Sequence, residues 1–369
     1  MLHITSSLKL DCLFDKFIED LKSPTNWQDP FSSPEVIFSD IKVEKWFNLC
    51  WLKKSSEGPI LMNLKTERLA GFVFDSLVKG IKVKDADKKI IYELLDNQLL
   101  KDGLIQKLIS KEDGDYYYRQ LNSPAVNAYV ESKDGSVDAN HLYDFASNMA
   151  TLFSAYESTR SGNFIDGIHN AWVKDKDSLF FDFKEQELKD LETWQKKLYS
   201  DVLKDDAFCI SNDEDNFKRK YVTLSQLVEI NRESNDGKLM FETESQSIFI
   251  FGFNGMGNIY RELIAQMAAD KDVYIFVQAS DSDIDGMKNP VLSKWHKTGS
   301  ENLSLWKKYE HEYQFVSGCQ KEDTLLERFQ KSISDNKSEF PLTDKKEWDD
   351  SIKIGSAPSA LREIEYLHS

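Results

Sequence analysis

Apolar and polar positions alternate most legibly between residues 247 and 278, which read SIFIFGFNGMGNIYRELIAQMAADKDVYIFVQ. Residues 247–253 form a short run of β-branched and aromatic side chains, the pattern of a strand buried on both faces. Asn254, Gly255 and Gly257 supply a turn. Residues 258–269 place Ile259, Leu263, Ile264 and Met267 on one helical face, and residues 273–277 form a second apolar strand. Strand, turn, helix and strand make a βαβ unit, whose crossover is expected to be right-handed.

The same pattern extends outward from this unit. Residues 2–5 read as a strand and 8–21 as a helix, with Leu10, Leu13, Phe14, Phe17 and Ile18 at helical spacing. A second strand over 35–39 leads into a helix over 43–52, and two β–α steps so close together point to a parallel sheet. Residues 59–64 form a third expected strand, and 67–78 a helix whose face carries Leu69, Phe72, Val73 and Leu77. From about residue 85 the character changes. Residues 86–100, 138–156 and 184–203 read as amphipathic helices with little strand signal between them, an all-helical subdomain inserted into the α/β domain. The middle helix carries the stripe Leu142, Phe145, Met149, Leu152, Phe153 and Tyr156, with Asp138 placed to cap it. A helix over 222–233, capped by Thr223 or Ser225, leads back to the sheet. Residues 278–300 are polar and Asp-rich, which predicts a long loop. A helix over 325–333, a charged linker over 335–350, a strand over 352–355 and a helix over 360–368 follow. A chain that stops in mid-helix reads as a truncated piece.

Composition narrows the class. With 369 residues the chain has material for two or three domains. Its 40% hydrophobic and 12% aromatic content is that of a globular protein rather than a disordered one. No apolar run approaches the ~20 residues of a membrane span, and the N-terminus lacks a signal-peptide pattern. Cys12, Cys50, Cys209 and Cys319 show no metal or redox spacing, so a reducing cytoplasm is the expected compartment. The net charge of −16 argues against a non-specific nucleic-acid binder. It leaves room for a locally basic channel, or for an acidic surface that meets a basic partner.

Candidate chemistry is defined mostly by what the motifs lack. The six histidines form no HExxH pairing, and there is no GxSxG elbow. Gly252, Gly255 and Gly257 follow a strand, but their spacing is GxxGxG rather than the dinucleotide fingerprint. Asp281, Asp283, Asp285 and Gly286 begin a calcium-loop spacing that no later acidic residue completes. The first strand–helix turn, Thr5 to Lys9, holds no glycine and no GK[ST] ending. The strand at 248–253 ends Phe251-Gly252-Phe253-Asn254, with no carboxylate to hold magnesium. Phosphate loop and magnesium strand are missing together, so the domain has the layout of a nucleotide-driven motor without its chemistry. Neither a cofactor nor a catalytic residue is expected. The run Tyr116-Tyr117-Tyr118-Arg119 is open to two readings, helix packing or single-strand stacking.

Six blocks carry a family resemblance. LHITSSLKLDCLFDKFIEDL near the start, DPFSSPEVIFS with the KWF that follows, and FVFDSLV at 72–78 come first. IFIFGFNGMGNIYRELIAQM, NPVLSKW at 289–295 and IKIGSAPSALREIEYLH at 352–368 follow. In this order they resemble RecC, the gamma subunit family of exodeoxyribonuclease V. The resemblance implies an α/β fold: a superfamily 1 helicase-like parallel-sheet domain of inactivated P-loop type (1A, residues 1–85 plus 215–345). It also implies a helical insertion (1B, 86–214) and the start of a second such domain (2A, 352–369). The implied role is a non-catalytic subunit of a RecBCD-type helicase–nuclease in double-strand break repair. Its partners would be RecB-like and RecD-like subunits and single-stranded or forked DNA, in a cytoplasmic hetero-oligomer away from membranes, with a Chi-like sequence as a possible target of base reading. The resemblance places Ser39, Asp40, Ile41, Lys42 and Lys45 in a DNA-lining loop after the second strand, although that loop departs from the family's own base-reading sequence. Lys42 and Lys45 suit phosphates. It also places Lys65, Arg68 and Phe74 at or near the channel: Arg68 for a phosphate or a base, Phe74 either as a stacking surface or as core. Two alternatives stay open, an AddB-like helicase–nuclease subunit with its own activity and a protein scaffold without DNA contact.

Overall fold

The computed structural model describes residues 1–22, 34–54, 64–82, 89–112, 114–159, 167–174, 186–204, 207–212, 217–253, 255–281, 286–318, 324–338, 349–360 and 362–364. Its elements begin with β1 (Leu2–Ser7), α1 (Leu10–Leu21), β2 (Glu35–Phe38), α2 (Ile41–Lys54), β3 (Lys65–Arg68) and α3 (Leu69–Lys79). Next come β4 (Lys89–Leu94), α4 (Asn97–Ile109), the hairpin strands β5 (Lys111–Glu112) and β6 (Asp115–Tyr116), and a 3₁₀ turn (Tyr117–Leu121). Helices α5 (Pro124–Val130), α6 (Ala139–Thr159) and α7 (Gly167–His169) are followed by a π turn (Asn170–Lys174) and α8 (Gln186–Val202). Then follow β7 (Cys209–Asn212), β8 (Phe217–Val222), α9 (Leu224–Ser234), β9 (Ser247–Phe251), α10 (Asn258–Met267) and β10 (Asp272–Gln278). The last are α11 (Pro290–Trp295), α12 (Lys297–Trp306), β11 (Glu312–Phe315) and α13 (Leu325–Ser334).

Two compact units share these elements. The first comprises residues 1–64, 247–255 and 272–369. Five strands of the main six-stranded sheet lie in it, in the order β11-β1-β10-β9-β2, and every neighbouring pair among them is parallel. The registers are long-range: Leu2 sits opposite Val273, and Val36 opposite Phe249. β2 and β9 are buried along their whole length, as runs without a polar face require. Helix α1 buries Leu13, Phe14, Phe17 and Leu21. The Phe17 ring meets Phe47 at 4.9 Å, Phe249 at 5.2 Å and Phe276 at 5.8 Å between centroids, each edge to face. This geometry sets the positive ring edges of some side chains against the negative faces of others. At the edge strand β11 only alternate residues are partly buried. It is tied to β1 by Ser6 Oγ and the Tyr313 hydroxyl at 2.8 Å, and by His3 Nδ1 and Glu312 at 2.9 Å.

The second unit comprises residues 65–246 and 256–271. Its core gathers Leu104, Leu108, Tyr117, Tyr118, Phe153, Trp172 and Tyr199 from α4, the 3₁₀ turn, α6, the π turn and α8. Phe153 and Trp172 both meet the Tyr199 ring edge-on, at 5.3 and 5.5 Å. The expected caps are present. Asp138 Oδ1 accepts from the backbone of Asn140 at 2.9 Å and of His141 at 3.1 Å. Thr223 and Gln226 form a reciprocal box at the start of α9. Strands β4, β8 and β7 make a three-stranded sheet in that order, β4 parallel and β7 antiparallel to β8.

Several sequence expectations need correction. Residues 86–100 are not one helix, because Lys89–Leu94 is strand β4 and the helix begins at Asn97. KIIYEL is a short apolar run that fits either period, and a parallel partner at β8 settles it as strand. The inserted region is therefore not all-helical; it carries β4 and β7 of this small sheet and the β5–β6 hairpin. The loop expected over 278–300 contains α11 and the start of α12. The signal was present, since Asn289 caps and Pro290 occupies the first turn. Residues 352–355 form no strand: Ile354 is 84% exposed, and no neighbouring strand pairs with them among the described residues. The strand expected over 59–64 falls almost wholly outside the described residues, as do Asn254, Asp283, Asp285 and Cys319; the strand described next to it is Lys65–Arg68. The remaining strands and helices expected before residue 335 appear within a few residues of their expected limits.

Phe17→Ala opens a cavity among the rings of Phe47, Phe249, Phe251 and Phe276, and the first unit is expected to lose about 3–5 kcal/mol. Urea denaturation followed by near-ultraviolet circular dichroism measures this, with Phe17→Leu expected to lose less.

Candidate functional site

In an open parallel sheet, ligands meet the loops at the carboxyl ends of the strands. In the first unit the turn after β1 is only two residues long, Leu8 and Lys9. It closes on its own neighbours: the Lys9 N–H donates to Ser7 Oγ at 3.2 Å, and Gln278 Nε2 donates to the Leu8 carbonyl at 3.1 Å. After β10, Asp281 accepts from the Tyr313 hydroxyl at 2.6 Å. After β11, Gly318 lies so close to α1 that a Cβ would stand 2.9 Å from Cys12 Sγ.

The turn after β2 has a different character. The Ser39 N–H extends the ladder to the Phe251 carbonyl, and Asp40 Oδ1 accepts from the N–H groups of Lys42 at 2.6 Å and Val43 at 3.1 Å. Asp40 therefore supplies the N-cap of α2. The cap fixes the phase of the helix, so that Phe47 turns inward to full burial while Ile41, Lys42 and Lys45 face water. At the end of β9, Gly252 has φ +84°, and a Cβ there would lie 2.6 Å from Val43 Cγ1. Both the left-handed backbone and the close approach to α2 require glycine. Ser39, Asp40, Ile41, Lys42 and Lys45 are thus brought together on one capped turn that holds two exposed lysines out to water.

Lys65, Arg68 and Phe74 lie in the second unit, on β3 and α3. Lys65 Nζ is 2.9 Å from Glu67 and 3.6 Å from Glu244, which also meets Lys79 at 3.3 Å. The Lys79 hydrogen bond, with the Lys65 charge, holds the Glu244 carboxyl below the usual carboxylate range. Arg68 is half-buried at the position preceding α3. Phe74 is 6% exposed, so of its two readings the packing fits core. The tyrosine run is likewise packed. Tyr117 and Tyr118 are buried, and Arg119 bridges Glu131 at 2.7 Å and Asp115 at 2.9 Å.

One feature of the second unit is absent from the sequence expectations. A cavity of about 220 Å³ is lined by Leu94, Leu100, Phe153, Glu157, Tyr199 and Tyr260 among others. Glu157 borders it with its carboxyl packed away from bulk water, accepting from the Tyr199 hydroxyl and from the Ser225 N–H at 3.2 Å. Burial pushes the Glu157 carboxyl up in spite of these hydrogen bonds, and burial beside Glu157 pushes Tyr199 up as well. A glutamate one residue beyond an amphipathic stripe reads as solvent-facing, which is why sequence patterning passes over it. Among the described residues no group of three His, Cys, Asp or Glu side chains is arranged to hold a metal ion. No described helix is long and apolar enough to cross a membrane.

A parallel sheet with a glycine-free first turn, and three strands along from it a capped turn with two exposed lysines, defines an α/β protein whose first strand–helix turn is not a glycine-rich phosphate-binding loop. Residues 2–336 match the family model "RecC, N-terminal domain", and the chain belongs to that family. The family points to a subunit of a RecBCD-type complex, the exodeoxyribonuclease V of DNA repair. No curated protein matches the chain.

Asp40→Ala removes the cap and is expected to cost about 1 kcal/mol, with faster hydrogen exchange at the Lys42 and Val43 amides and unchanged exchange in β9. For Glu157 the folded pKa lies above the unfolded value of 4.5. The stability it contributes is therefore complete below that value and is lost as pH rises through the folded one. Glu157→Gln is expected to remove this loss. Urea midpoints compared across acid to neutral pH check it, and parallel profiles for the two proteins would exclude the effect.

Proposed function

We propose that this chain is a non-catalytic, DNA-guiding and scaffolding part of a RecBCD-type helicase–nuclease acting in double-strand break repair by homologous recombination. The observation that carries the reading is the pairing of two turns on one sheet edge. The turn that would cradle a nucleotide phosphate is reduced to Leu8 and Lys9, whereas the turn after β2 presents Lys42 and Lys45 to water. A nucleoside-triphosphatase needs backbone donors at the first position and a carboxylate at the end of a neighbouring strand. Here β9 runs into Gly252 and Phe253. The sheet is then a superfamily 1 helicase-like domain that has given up nucleotide chemistry and keeps its edge for a single strand. In this reading residues 1–85 and 215–345 form that domain, 86–214 its insertion, and 352–369 the opening of a second one. RecB-like and RecD-like subunits supply the motors in the cytoplasm. Lys42 and Lys45 hold phosphates, Ser39 to Ile41 stand where bases would be read, including a Chi-like sequence, and Arg68 is a further contact.

The net charge of −16 favours one other reading, a scaffold that touches only protein. Co-purification with a RecB-type subunit, followed by ATPase and forked-DNA assays, separates the two. The complex is expected to form, with ATPase unaffected by Lys9→Ala. The double variant Lys42→Glu/Lys45→Glu should weaken fork binding and flatten its salt dependence by about two units of slope. ATP hydrolysis by this chain alone, or fork binding indifferent to the double variant, would overturn the proposal.

A further inference from the structure

We propose that the corner between α11 and α12 is a base-stacking site for single-stranded nucleic acid, with the Trp295 indole as its platform and Lys288, Lys294 and Lys297 around it for phosphates. The inference rests on the DNA-guiding reading above and adds to it a specific residue and mode of contact.

Trp295 is 81% exposed, whereas Trp172 and Trp306 are almost completely buried. Loose structure does not account for this. On one side of the corner, Asn289 Oδ1 accepts from the Val291 and Leu292 N–H groups at 2.9 and 3.4 Å. Asn289 is itself held by the residues just after α13: its N–H donates to Asn336 Oδ1 at 3.0 Å, and its Nδ2 donates to the Lys337 carbonyl at 2.8 Å. On the other side, Gly299 lies where a Cβ would be 2.2 Å from the Gln278 carbonyl oxygen. Asn302 Nδ2 donates to the Phe253 carbonyl at 3.2 Å, and Leu303 and Trp306 are buried. Leu292 fastens α11 inward. The corner is therefore anchored at both ends, and its largest side chain is nonetheless held out in water.

The charge around it selects the occupant. Residues 286–300 contain Lys288, Lys294 and Lys297 and no Asp or Glu, in a protein of net charge −16. All three lysines are exposed, and Lys297 pairs with Glu301 at 3.8 Å. Lysine is depleted at protein–protein interface cores, whereas an aromatic face beside cations is how single strands are held without sequence preference. The position agrees with the site already described. Helix α11 follows β10, and only β9 separates β10 from β2, so the carboxyl ends of those two strands lie roughly 10 Å apart.

The test titrates the 369-residue chain with an oligothymidylate and with an abasic deoxyribose-phosphate strand of equal length, read by anisotropy at fixed salt. Trp295→Ala is expected to weaken thymidylate binding roughly tenfold while leaving the abasic strand unaffected, and Trp295→Phe to recover part of the loss. Unchanged thymidylate affinity in Trp295→Ala, or an equal loss on both strands, would overturn the inference. So would loss of co-purification with a RecB-type subunit at unchanged thymidylate affinity, which would assign the corner to protein contact. If Lys42→Glu/Lys45→Glu weakens fork binding while Trp295→Ala changes nothing, the stacking site alone falls. If the wild-type chain binds no DNA, the broader reading falls with it.

Discussion

The edge-to-face packing of Phe17 against Phe47, Phe249 and Phe276 is the contact on which the first unit turns. A parallel sheet has no hairpins to bring its strands together, so its order must be set by what lies across its faces. Here one helix near the N-terminus supplies a ring that reaches two strands more than two hundred residues away, and the next helix supplies Phe47 to close the cluster. Aliphatic side chains of equal volume would fill the space without fixing relative ring orientation. The quadrupoles favour edge-on geometry and so help set how α1 lies over β9 and β10.

From that packing the character of the sheet's carboxyl edge follows. With Phe47 fixed inward, the helical period leaves Ile41, Lys42 and Lys45 outward, and the Asp40 cap and the glycine at 252 lock the phase at its start. Two carboxylates close to this edge are already occupied, Asp40 by backbone donors and Asp281 by Tyr313. An acidic protein thus presents a small cationic margin where the sheet opens. Exposed lysines at such a margin are the side chains that can hold and orient a nucleic-acid backbone without reading its bases, which is the property the proposed function draws on.

How much of this could be read from the chain depends on the kind of signal. Strands β2 and β9 were legible because burial on both faces leaves an unbroken apolar run. Asp138 and Thr223 were legible as caps because capping chemistry is local. KIIYEL was not, since six residues cannot separate a strand period from a helical one and its partner β8 lies more than 120 residues on. At the site, the lysines of the β2 turn could be named in advance, but not that Phe74 would be packed or Lys65 tied to Glu67 and Glu244. Those outcomes depend on residues brought in by the fold. The same holds for Glu157, whose carboxyl is enclosed only because α8 and α9 close over it. Trp295 shows the converse: residue type is plain in the sequence, but whether an indole ends inside or outside is settled by where the helix stops.

The long-range register has a consequence during synthesis. β1 and β2 have no partners within the first unit until β9 and β10 emerge, and residues 65–246 are translated in between. At about 5–20 residues per second, the two N-terminal strands wait roughly 10–40 s outside the ribosome without β9 and β10, although β2 has its other neighbour, β3, early on. Most of the second unit, residues 65–246, is made during this interval, with only residues 256–271 still to come, whereas the first unit still lacks its central strands. Apolar strands that wait in this way are the kind of surface that aggregates during folding, so the order of translation, as well as the final packing, bears on how the native sheet is reached.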